Sequence, residues 1–247
     1  MAIKKATKAK PKTPPKKENL TFWGKTIRIL WKVFLWFNIV SIFLVVVFKF
    51  APVPFTPLMA FRALEHNGSG KEMVCSHDWV PLDQISMNLQ KAVVASEDGY
   101  FLKHNGFDFG ALKKAFNNNQ KGRKLKGGST ISQQTAKNVF LWQGRSYIRK
   151  GLEAYYTVLI ELIWGKKRIM EVYLNSIEMG DGVYGAEAAA KYWFHKSARN
   201  LTKYDAASIA AILPNPRKYK ATKSSSYVER RKSKTLRVMR HVGKLEY

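Results

Sequence analysis

The chain has 247 residues, enough for one ordinary domain plus an appendage, and its formal net charge is +26. Such an excess of positive charge predicts a polyanionic partner, which could be a nucleic acid, an anionic membrane surface or a phosphorylated substrate. Cys75 is the only cysteine, so an intramolecular disulfide is excluded, and its simplest interpretation is a small loop or core residue.

The N-terminal segment predicts a membrane anchor. Residues 1–28 are rich in lysine and proline, a composition typical of a disordered basic tail. An uncharged apolar run between Lys32 and Lys49 then predicts, with its flanks, a transmembrane helix over residues 29–51. The basic residues before this span predict that the N-terminus is cytoplasmic and that residues 52–247 form an extracytoplasmic domain.

Two other interpretations of the apolar run are open. A cleaved signal peptide is disfavoured because no small-residue cleavage pattern follows Phe50. A buried core helix is disfavoured because the run is apolar on every side. The residues therefore predict a single-pass membrane protein whose domain lies outside the cytoplasm.

Beyond residue 58 the pattern is helical nearly throughout. Strand-like alternation is weak and limited to about residues 73–80. One helix is predicted to end at Glu97, and the others are predicted over residues 109–116, 148–163, 167–175, 183–193, 204–213 and 227–242. The domain is therefore predicted to be mainly α, either all-helical or helical with a minor hairpin.

Two adjacent carboxylates, Glu97 and Asp98, stand out at the end of an apolar run. Carboxylates are costly to bury, so this pair is more easily explained by chemistry than by packing. His104 lies shortly after them. We interpret it as a structural histidine rather than a catalytic base, because its neighbours already include two acids.

A glycine turn at Gly127 and Gly128 leads into a predicted helix, with Ser129 or Thr130 as its N-cap. Glycine lets a ligand approach the backbone closely, and a helix N-terminus offers free N–H groups to an anion. An ordinary capped helix is the alternative. The neighbouring cations favour an anion site; they are Arg123, Lys124, Lys126 and Lys137.

Arg149, Lys150 and Glu153 are spaced to share one face of a helix. A surface ion-pair network is the usual meaning of this spacing, and a cationic phosphate clamp beside a second carboxylate is the functional interpretation. Further on, a glycine-rich loop between two helices contains Gly180 and Gly185 and is most simply a packing feature. No cluster of His, Cys, Asp and Glu has the spacing of a zinc site.

Together these residues resemble the five motifs of the peptidoglycan glycosyltransferases, glycosyltransferase family 51. The first two are Glu97-Asp-Gly-Tyr-Phe-Leu-Lys-His-Asn-Gly106 and Gly127-Gly-Ser-Thr-Ile-Ser-Gln-Gln134, the latter with Ser132 where threonine is usual. The third is Arg149-Lys-Gly-Leu-Glu153, and the last two cover residues 166–185 and 206–216. Because the chain ends at Tyr247, too soon for a transpeptidase domain, it is most similar to the monofunctional members of this family.

The resemblance implies a lysozyme-like helical domain with a smaller membrane-proximal jaw lobe, on the periplasmic side of the cell inner membrane. It implies an inverting hexosyltransferase of cell wall biosynthesis, which polymerises lipid II into β-1,4-linked glycan strands and releases undecaprenyl diphosphate. Glu97 would be the general base, Asp98 would support it, and Glu153 would assist departure of the diphosphate. No cofactor is implied as obligatory, although Mg²⁺ or Mn²⁺ could bind with the substrate diphosphate and Glu153.

The resemblance also implies two further sets of residues. Those expected to bind substrate are Phe101, His104, Arg123, Gly127, Gly128, Ser129, Thr130, Ser132, Gln133, Gln134, Lys137, Asn138, Arg149 and Lys150. Those expected to shape the motifs are Gly106, Tyr173, Asn175, Gly180 and Gly185.

The expected partners are lipid II with its growing glycan strand, the lipid bilayer and other cell wall synthases, but not nucleic acid. Two other classes stay open. A lytic, lysozyme-like hydrolase would also use a glutamate in a helical domain, and a non-enzymatic basic membrane protein would bind nucleic acid or anionic lipid.

Overall fold

The computed structural model describes residues 22–68, 75–113, 128–144 and 146–247. In these residues the chain is mainly helical with one small sheet, which confirms the predicted fold class. It divides into two compact units, residues 1–42 and 43–247. The second unit contains all five of the sequence motifs.

The helices and strands lie close to the predicted positions. The helices are α1 (Phe22–Phe50), α2 (Pro57–Gly68), α3 (Met87–Glu97), α4 (Ile131–Phe140), α5 (Tyr147–Ile163), α6 (Gly165–Ser176), α7 (Ala186–Phe194), α8 (Lys203–Ile212) and α9 (Ser226–Met239). The strands are β1 (Ser76–His77), β2 (Glu178–Gly180) and β3 (Val183–Tyr184). The prediction of helix at residues 183–184 is wrong, because these residues pair in the sheet. The helix predicted over 109–116 is described only as far as residue 113.

Helix α1 contains residues 29–50 of the predicted span, and it is long and apolar enough to cross a membrane by length and composition. It begins at Phe22, so residues 22–28 are helical although the sequence assigns them to the tail. The apolar residues among them, such as Trp23 and Ile27, extend the exposed apolar surface of the helix. Residues 1–21 of the predicted tail lie outside the described part of the chain. The helix fits a membrane anchor.

The last turns of α1 are bound to the rest of the second unit by two side chains. The Trp164 indole N–H donates to the Val45 carbonyl at 2.6 Å. The Arg168 guanidinium donates to the Phe48 carbonyl at 2.9 and 3.0 Å and also to the Ala51 carbonyl. The carbonyls at a helix end lack partners within the helix, and a cation is favourable at the negative end of the helix dipole. Residues 43–50 therefore belong to the domain rather than to a separate tether.

The sheet has the order β1-β3-β2, with β1 parallel and β2 antiparallel to β3. Asn175, at the end of α6, connects this sheet to the helical core. Its side-chain amide donates to the carbonyl of Val80 at 2.9 Å and accepts from the N–H of Val80 at 3.0 Å. Its backbone carbonyl lies 2.9 Å from Nε2 of His77. The predicted structural role of Asn175 fits these contacts.

Gly185 makes the tightest turn of this region. Its φ is +82°, and a Cβ built there would lie 2.7 Å from the Asn175 carbonyl oxygen. We expect Gly185→Ala to lower the free energy of unfolding by about 2–4 kcal/mol, because strain and overpacking add. Chemical denaturation of the two proteins measures this. Gly151→Ala is the matched control, because a Cβ there meets nothing within 4 Å and favours helix α5; equal stability of both variants would contradict the prediction.

The helices that carry the site pack in two groups. Helix α3 packs against α8 and α9, and α4 packs against α5 and α6. The two groups meet at the end of α3, where Glu97 and Asp98 contact residues in the first turn of α4. The packing therefore brings residues that are distant in sequence to one place.

Candidate active site

Glu97 is the last residue of α3, and its carboxylate is contacted from two other helices. The Gln134 side-chain amide on α4 donates to Glu97 Oε2 at 3.2 Å. Arg231 on α9 places Nη2 4.0 Å from Glu97 Oε1. Burial raises the pKa of Glu97, and this effect exceeds the lowering by Gln134, Arg231 and Ser96. A carboxyl group with a raised pKa is a better proton acceptor than an ordinary one.

Asp98 has a different environment. It is 5% exposed, and its Oδ2 accepts the backbone N–H of Ile131 at 3.0 Å, at the start of α4. His104 Nε2 lies 2.9 Å from Asp98 Oδ1 and 3.1 Å from Oδ2. The negative charge of Asp98 makes only the smallest of the named contributions to the raised pKa of Glu97. Asp98 therefore connects the end of α3 to the start of α4 and to His104 through hydrogen bonds.

These contacts change the interpretation of the α4 N-terminus. Thr130 is the N-cap and forms a capping box with Gln133, so the predicted capped helix is confirmed. The N–H of Ile131 is bonded to Asp98 and the N–H of Gln133 to the Thr130 hydroxyl. A substrate phosphate would therefore compete with protein groups here, and the anion at this helix end is Asp98. The anion site predicted on these N–H groups gets no support from the structure.

Asp98 therefore has a large expected effect on stability. We expect Asp98→Ala to lower the free energy of unfolding by about 2–4 kcal/mol, because it leaves the Ile131 N–H and the His104 ring without their common partner. Thermal unfolding of the variant measures the effect. Asp78→Ala is the control, since Asp78 forms an exposed ion pair with Lys191 at 3.0 Å that should contribute little. A shift of the same size in both variants would contradict the anchoring role.

Four residues predicted to bind substrate are buried and contact other protein groups. Thr130 donates through its hydroxyl to the Gly106 carbonyl at 2.6 Å, and Ser132 donates to Glu161 Oε1 at 2.5 Å. Gln133 completes the capping box. Phe101 is fully buried, and the Lys166 ammonium lies 4.7 Å from the centre of its ring. In this conformation these four side chains support the site through contacts with other protein groups. Their contact with substrate stays a prediction.

The second half of the candidate site surrounds Glu153 on α5. Glu153 is 3% exposed, Arg149 Nη1 lies 3.4 Å from its Oε2, and the Lys150 ammonium bonds to its Oε1. The shared helix face predicted for these three residues is confirmed. Arg149 Nε is buried and has no hydrogen-bond partner in the described chain. A buried donor without a partner is costly unless a ligand or water accepts from it.

Lys137 adds a third cation to this group. Burial lowers the pKa of its ammonium, Glu153 opposes that change, and Arg149 and Lys150 reinforce it. Three cationic side chains around one carboxylate leave a formal excess of two positive charges. A cluster of excess positive charge with one exposed member, Lys150, is suited to a diphosphate.

Helix α4 connects the two halves of the site. Gln134 and Lys137 are three residues apart and therefore lie on one face of the helix. Gln134 contacts Glu97, whereas Lys137 is within electrostatic range of Glu153. The structure thus brings the two predicted carboxylates to the same side of one helix, although they are far apart in sequence.

The remaining predicted residues differ in exposure and in how closely they are packed. Gly128 is half-buried, Ser129 is exposed and Asn138 is buried on α4, whereas Arg123 and Gly127 lie outside the described residues. Gly106 has a φ of +87°, and a Cβ there would lie 2.6 Å from Thr157 Cγ2. Gly180 packs beside Val183 and Trp193. These glycines fit the predicted role of shaping the motifs.

Sequence reasoning missed Arg231. It lies in a helix with many basic residues, so its charge gave no signal in the sequence. Only its position in the amphipathic pattern of residues 227–242 could have indicated that it faces inward. Its Nε donates to the Ala211 carbonyl at 2.9 Å, which directs the other end of the guanidinium toward Glu97.

No group of three or more His, Cys, Asp and Glu side chains in the described residues could hold a metal ion. Glu153, the predicted metal contact, is bonded to Lys150 and Arg149. A divalent cation here would therefore have to obtain most of its ligands from phosphate oxygens and water. The optional cation stays a prediction.

A helical domain with one partly buried carboxylate and a nearby cationic cluster around a second is suited to sugar transfer from a diphosphate donor. A family model described as Transglycosylase matches residues 68–240. The chain belongs to this transglycosylase family and is an enzyme of the glycosyltransferase class. The resemblance found in the sequence to the monofunctional peptidoglycan glycosyltransferases is confirmed.

Curated relatives agree with this assignment. The chain is 58% identical to a biosynthetic peptidoglycan transglycosylase of Caulobacter vibrioides, over 77% of this chain and 80% of the relative. It is 51% identical to the protein of that name from Bdellovibrio bacteriovorus, over 87% and 86%. It is 50% identical to the one from Bacteroides thetaiotaomicron, over 89% of each chain.

Proposed function

We propose that this enzyme polymerises lipid II into β-1,4-linked glycan strands of peptidoglycan and releases undecaprenyl diphosphate. The observation that carries the proposal is the arrangement along α4, where Gln134 contacts Glu97 and Lys137, on the same helix face, interacts with Glu153. A sugar hydroxyl must lose a proton and a diphosphate must gain stabilisation in this reaction. Glu97 could accept the proton, and the cations around Glu153 could stabilise the diphosphate.

In this proposal Glu97 is the general base for the acceptor hydroxyl. Its raised pKa favours proton uptake, and its partial exposure leaves the carboxylate accessible to a substrate. Gln134 donates to one carboxylate oxygen, and the Arg231 guanidinium lies 4.0 Å from the other. Direct displacement on an α-linked donor would give the β product by inversion, as in the two-carboxylate arrangement of inverting glycosidases.

The cations Lys137, Arg149 and Lys150 would bind the diphosphate of the donor. Negative charge grows on the leaving diphosphate as the glycosidic bond breaks, and fixed cations stabilise that charge most in a site with little water. The Nε of Arg149 is buried without a partner in the described chain, so a phosphate oxygen that displaced its neighbours would find a donor there. Glu153 keeps the three cations together before the substrate arrives.

The membrane helix fits a lipid-linked substrate. An enzyme whose donor carries an undecaprenyl chain must meet it at the bilayer surface, and α1 would keep the domain there. We propose a cytoplasmic N-terminus and a periplasmic catalytic domain at the inner membrane, in agreement with the basic residues before the span. The growing glycan strand would then be made on the side where the cell wall lies.

The test is incubation of the full chain in detergent or vesicles with labelled lipid II, with and without a chelator. Labelled polymer with release of undecaprenyl diphosphate is the expected result. Degradation of purified sacculi without use of lipid II would instead identify a hydrolase, and salt-sensitive DNA binding without turnover would identify a basic binding protein. Loss of polymer in the chelator would assign the divalent cation an essential role.

A further inference from the structure

Gln134 has a second neighbour besides Glu97. The hydroxyl of Tyr173 on α6 donates to Gln134 Oε1 at 3.4 Å, while Gln134 Nε2 donates to Glu97 Oε2 at 3.2 Å. Three helices thus contribute to one chain of hydrogen bonds that ends on the carboxylate. Tyr173 is fully buried, so its hydroxyl cannot turn to solvent instead.

The order of donors in this chain is fixed by the tyrosine. A side-chain amide has a donor end and an acceptor end, and it can turn by half a rotation to exchange them. In the reversed orientation its carbonyl would face the Glu97 carboxylate, and the buried Tyr173 O–H would lose the acceptor that it has in the described chain. A buried O–H without an acceptor is disfavoured, and two facing oxygen acceptors repel.

We propose that Tyr173 is a positioning residue for the reaction: its hydroxyl holds the Gln134 amide so that the N–H of the amide faces the Glu97 carboxylate. The inference rests on the proposed role of Glu97 as the base. It goes beyond the packing role predicted for Tyr173 from the sequence, because it gives the hydroxyl a function that the ring alone does not have.

The ionisation of the two end groups supports this arrangement. Burial raises the pKa of Tyr173 well above its usual range, and the charges of Glu97 and Asp98 raise it further. The hydroxyl therefore stays protonated and remains a donor at every working pH. At the other end, the hydrogen bond from Gln134 lowers the pKa of Glu97 against the larger effect of burial.

The groups named around Glu97 come from α3 and the residue after it, α4, α6 and α9. Asp98 follows it in the chain and raises its pKa, Arg231 on α9 and Ser96 lower it, and Gln134 on α4 lowers it. Tyr173 on α6 is neutral. Of these, only the contribution of Gln134 depends on an orientation that another side chain sets, so a change at Tyr173 acts through the amide.

The experiment is Tyr173→Phe, which removes the hydroxyl and keeps the ring. Without the hydroxyl, only repulsion from the carboxylate opposes reversal of the Gln134 amide, so the hydrogen bond to Glu97 weakens and the pKa of Glu97 rises. We expect the acidic limb of the pH profile of kcat/KM for lipid II polymerisation to move to higher pH by about 0.5–1 unit. Because the base is fully ionised well above that limb, the rate there should recover to near the unmodified enzyme.

Tyr184→Phe is the matched control. Tyr184 is also a buried tyrosine, and its hydroxyl has no hydrogen-bond partner in the described residues. The Tyr184→Phe variant should not move the acidic limb of the pH profile. Gln134→Met, which has no amide, should move the limb in the same direction, and adding Tyr173→Phe to it should cause no further movement, because the two residues act as one unit.

The outcomes separate the inference from the proposed function. A uniform rate loss at all pH values in Tyr173→Phe, or a limb that does not move, overturns the positioning role. If Glu97→Gln retains full activity, the proposed base itself fails. A ¹³C titration of the Glu97 carboxyl in the same variants gives a readout that does not depend on turnover, and an unchanged pKa in Tyr173→Phe also overturns the inference.

Discussion

Replacement of Glu97 by glutamine is expected to lower the rate of glycan polymerisation by about 100- to 10,000-fold, the range typical of a general base. Glutamine keeps the size of the side chain and one acceptor oxygen, so it can retain only one of the contacts with Gln134 and Arg231, and it cannot accept the proton. The measurement is the initial rate of polymer formation from labelled lipid II. Undiminished polymer formation by this variant would falsify the assignment of the base.

The same variant should not be unfolded. Because burial raises the folded-state pKa of Glu97, its contribution to stability is greatest at low pH and is lost as the pH rises through that raised pKa. At neutral pH the fold therefore destabilises the ionised carboxylate relative to the unfolded chain. We expect Glu97→Gln to unfold at an equal or higher temperature than the unmodified protein at pH 7. Glu229→Gln, at an exposed position on α9, is the control and should change neither rate nor stability.

Glu153→Gln is expected to lower kcat by about 100- to 1,000-fold, as is typical when a preorganised electrostatic group of a catalytic site is removed. The variant leaves Lys137, Arg149 and Lys150 without the carboxylate that they surround. Their mutual repulsion should displace them from the positions at which they stabilise the leaving diphosphate. Steady-state kinetics with labelled lipid II measures the loss.

Binding of inorganic pyrophosphate distinguishes this explanation from a simple loss of affinity. Removal of one negative charge raises the formal positive excess of the cluster, so pyrophosphate should bind at least as tightly to Glu153→Gln. Lys150→Met is the matched variant and should bind it more weakly, because it removes a cation from the same cluster. Weaker binding by both variants would argue that Glu153 contacts the diphosphate through a bound cation.

The local features of this fold were predictable from the sequence because they depend on residues close together in the chain. Apolar spacing located the helices, and the run from Gly128 to Thr130 indicated the N-cap of α4. Arg149, Lys150 and Glu153 share a face because their spacing is that of a helix. In each case one helical turn contains all the information that the prediction requires.

The features that were not predictable depend on packing between distant segments. Asp98 bonds to the start of α4, so a helix end that looked available for an anion is already occupied. Arg231 meets Glu97 only because α9 packs against α3. Neither contact has a local pattern. Gly127 lies outside the described residues, so its part in the site is still a prediction.

Helix α4 sets the spacing between the groups proposed for proton removal and for diphosphate departure. The rise of an α-helix holds Gln134 and Lys137 about 4.5 Å apart along its axis. Backbone geometry therefore sets the spacing between the residue that contacts the proposed base, Glu97, and the lysine proposed to bind the diphosphate. The first turn of α4 is fastened by Asp98 and by the capping box. A one-residue insertion between Gln134 and Lys137 would rotate the lysine by about 100° around the helix axis and remove it from that face. For inhibitor design, the fixed spacing means that a single rigid linker could join a group that binds at Glu97 to an anion that binds at Lys137.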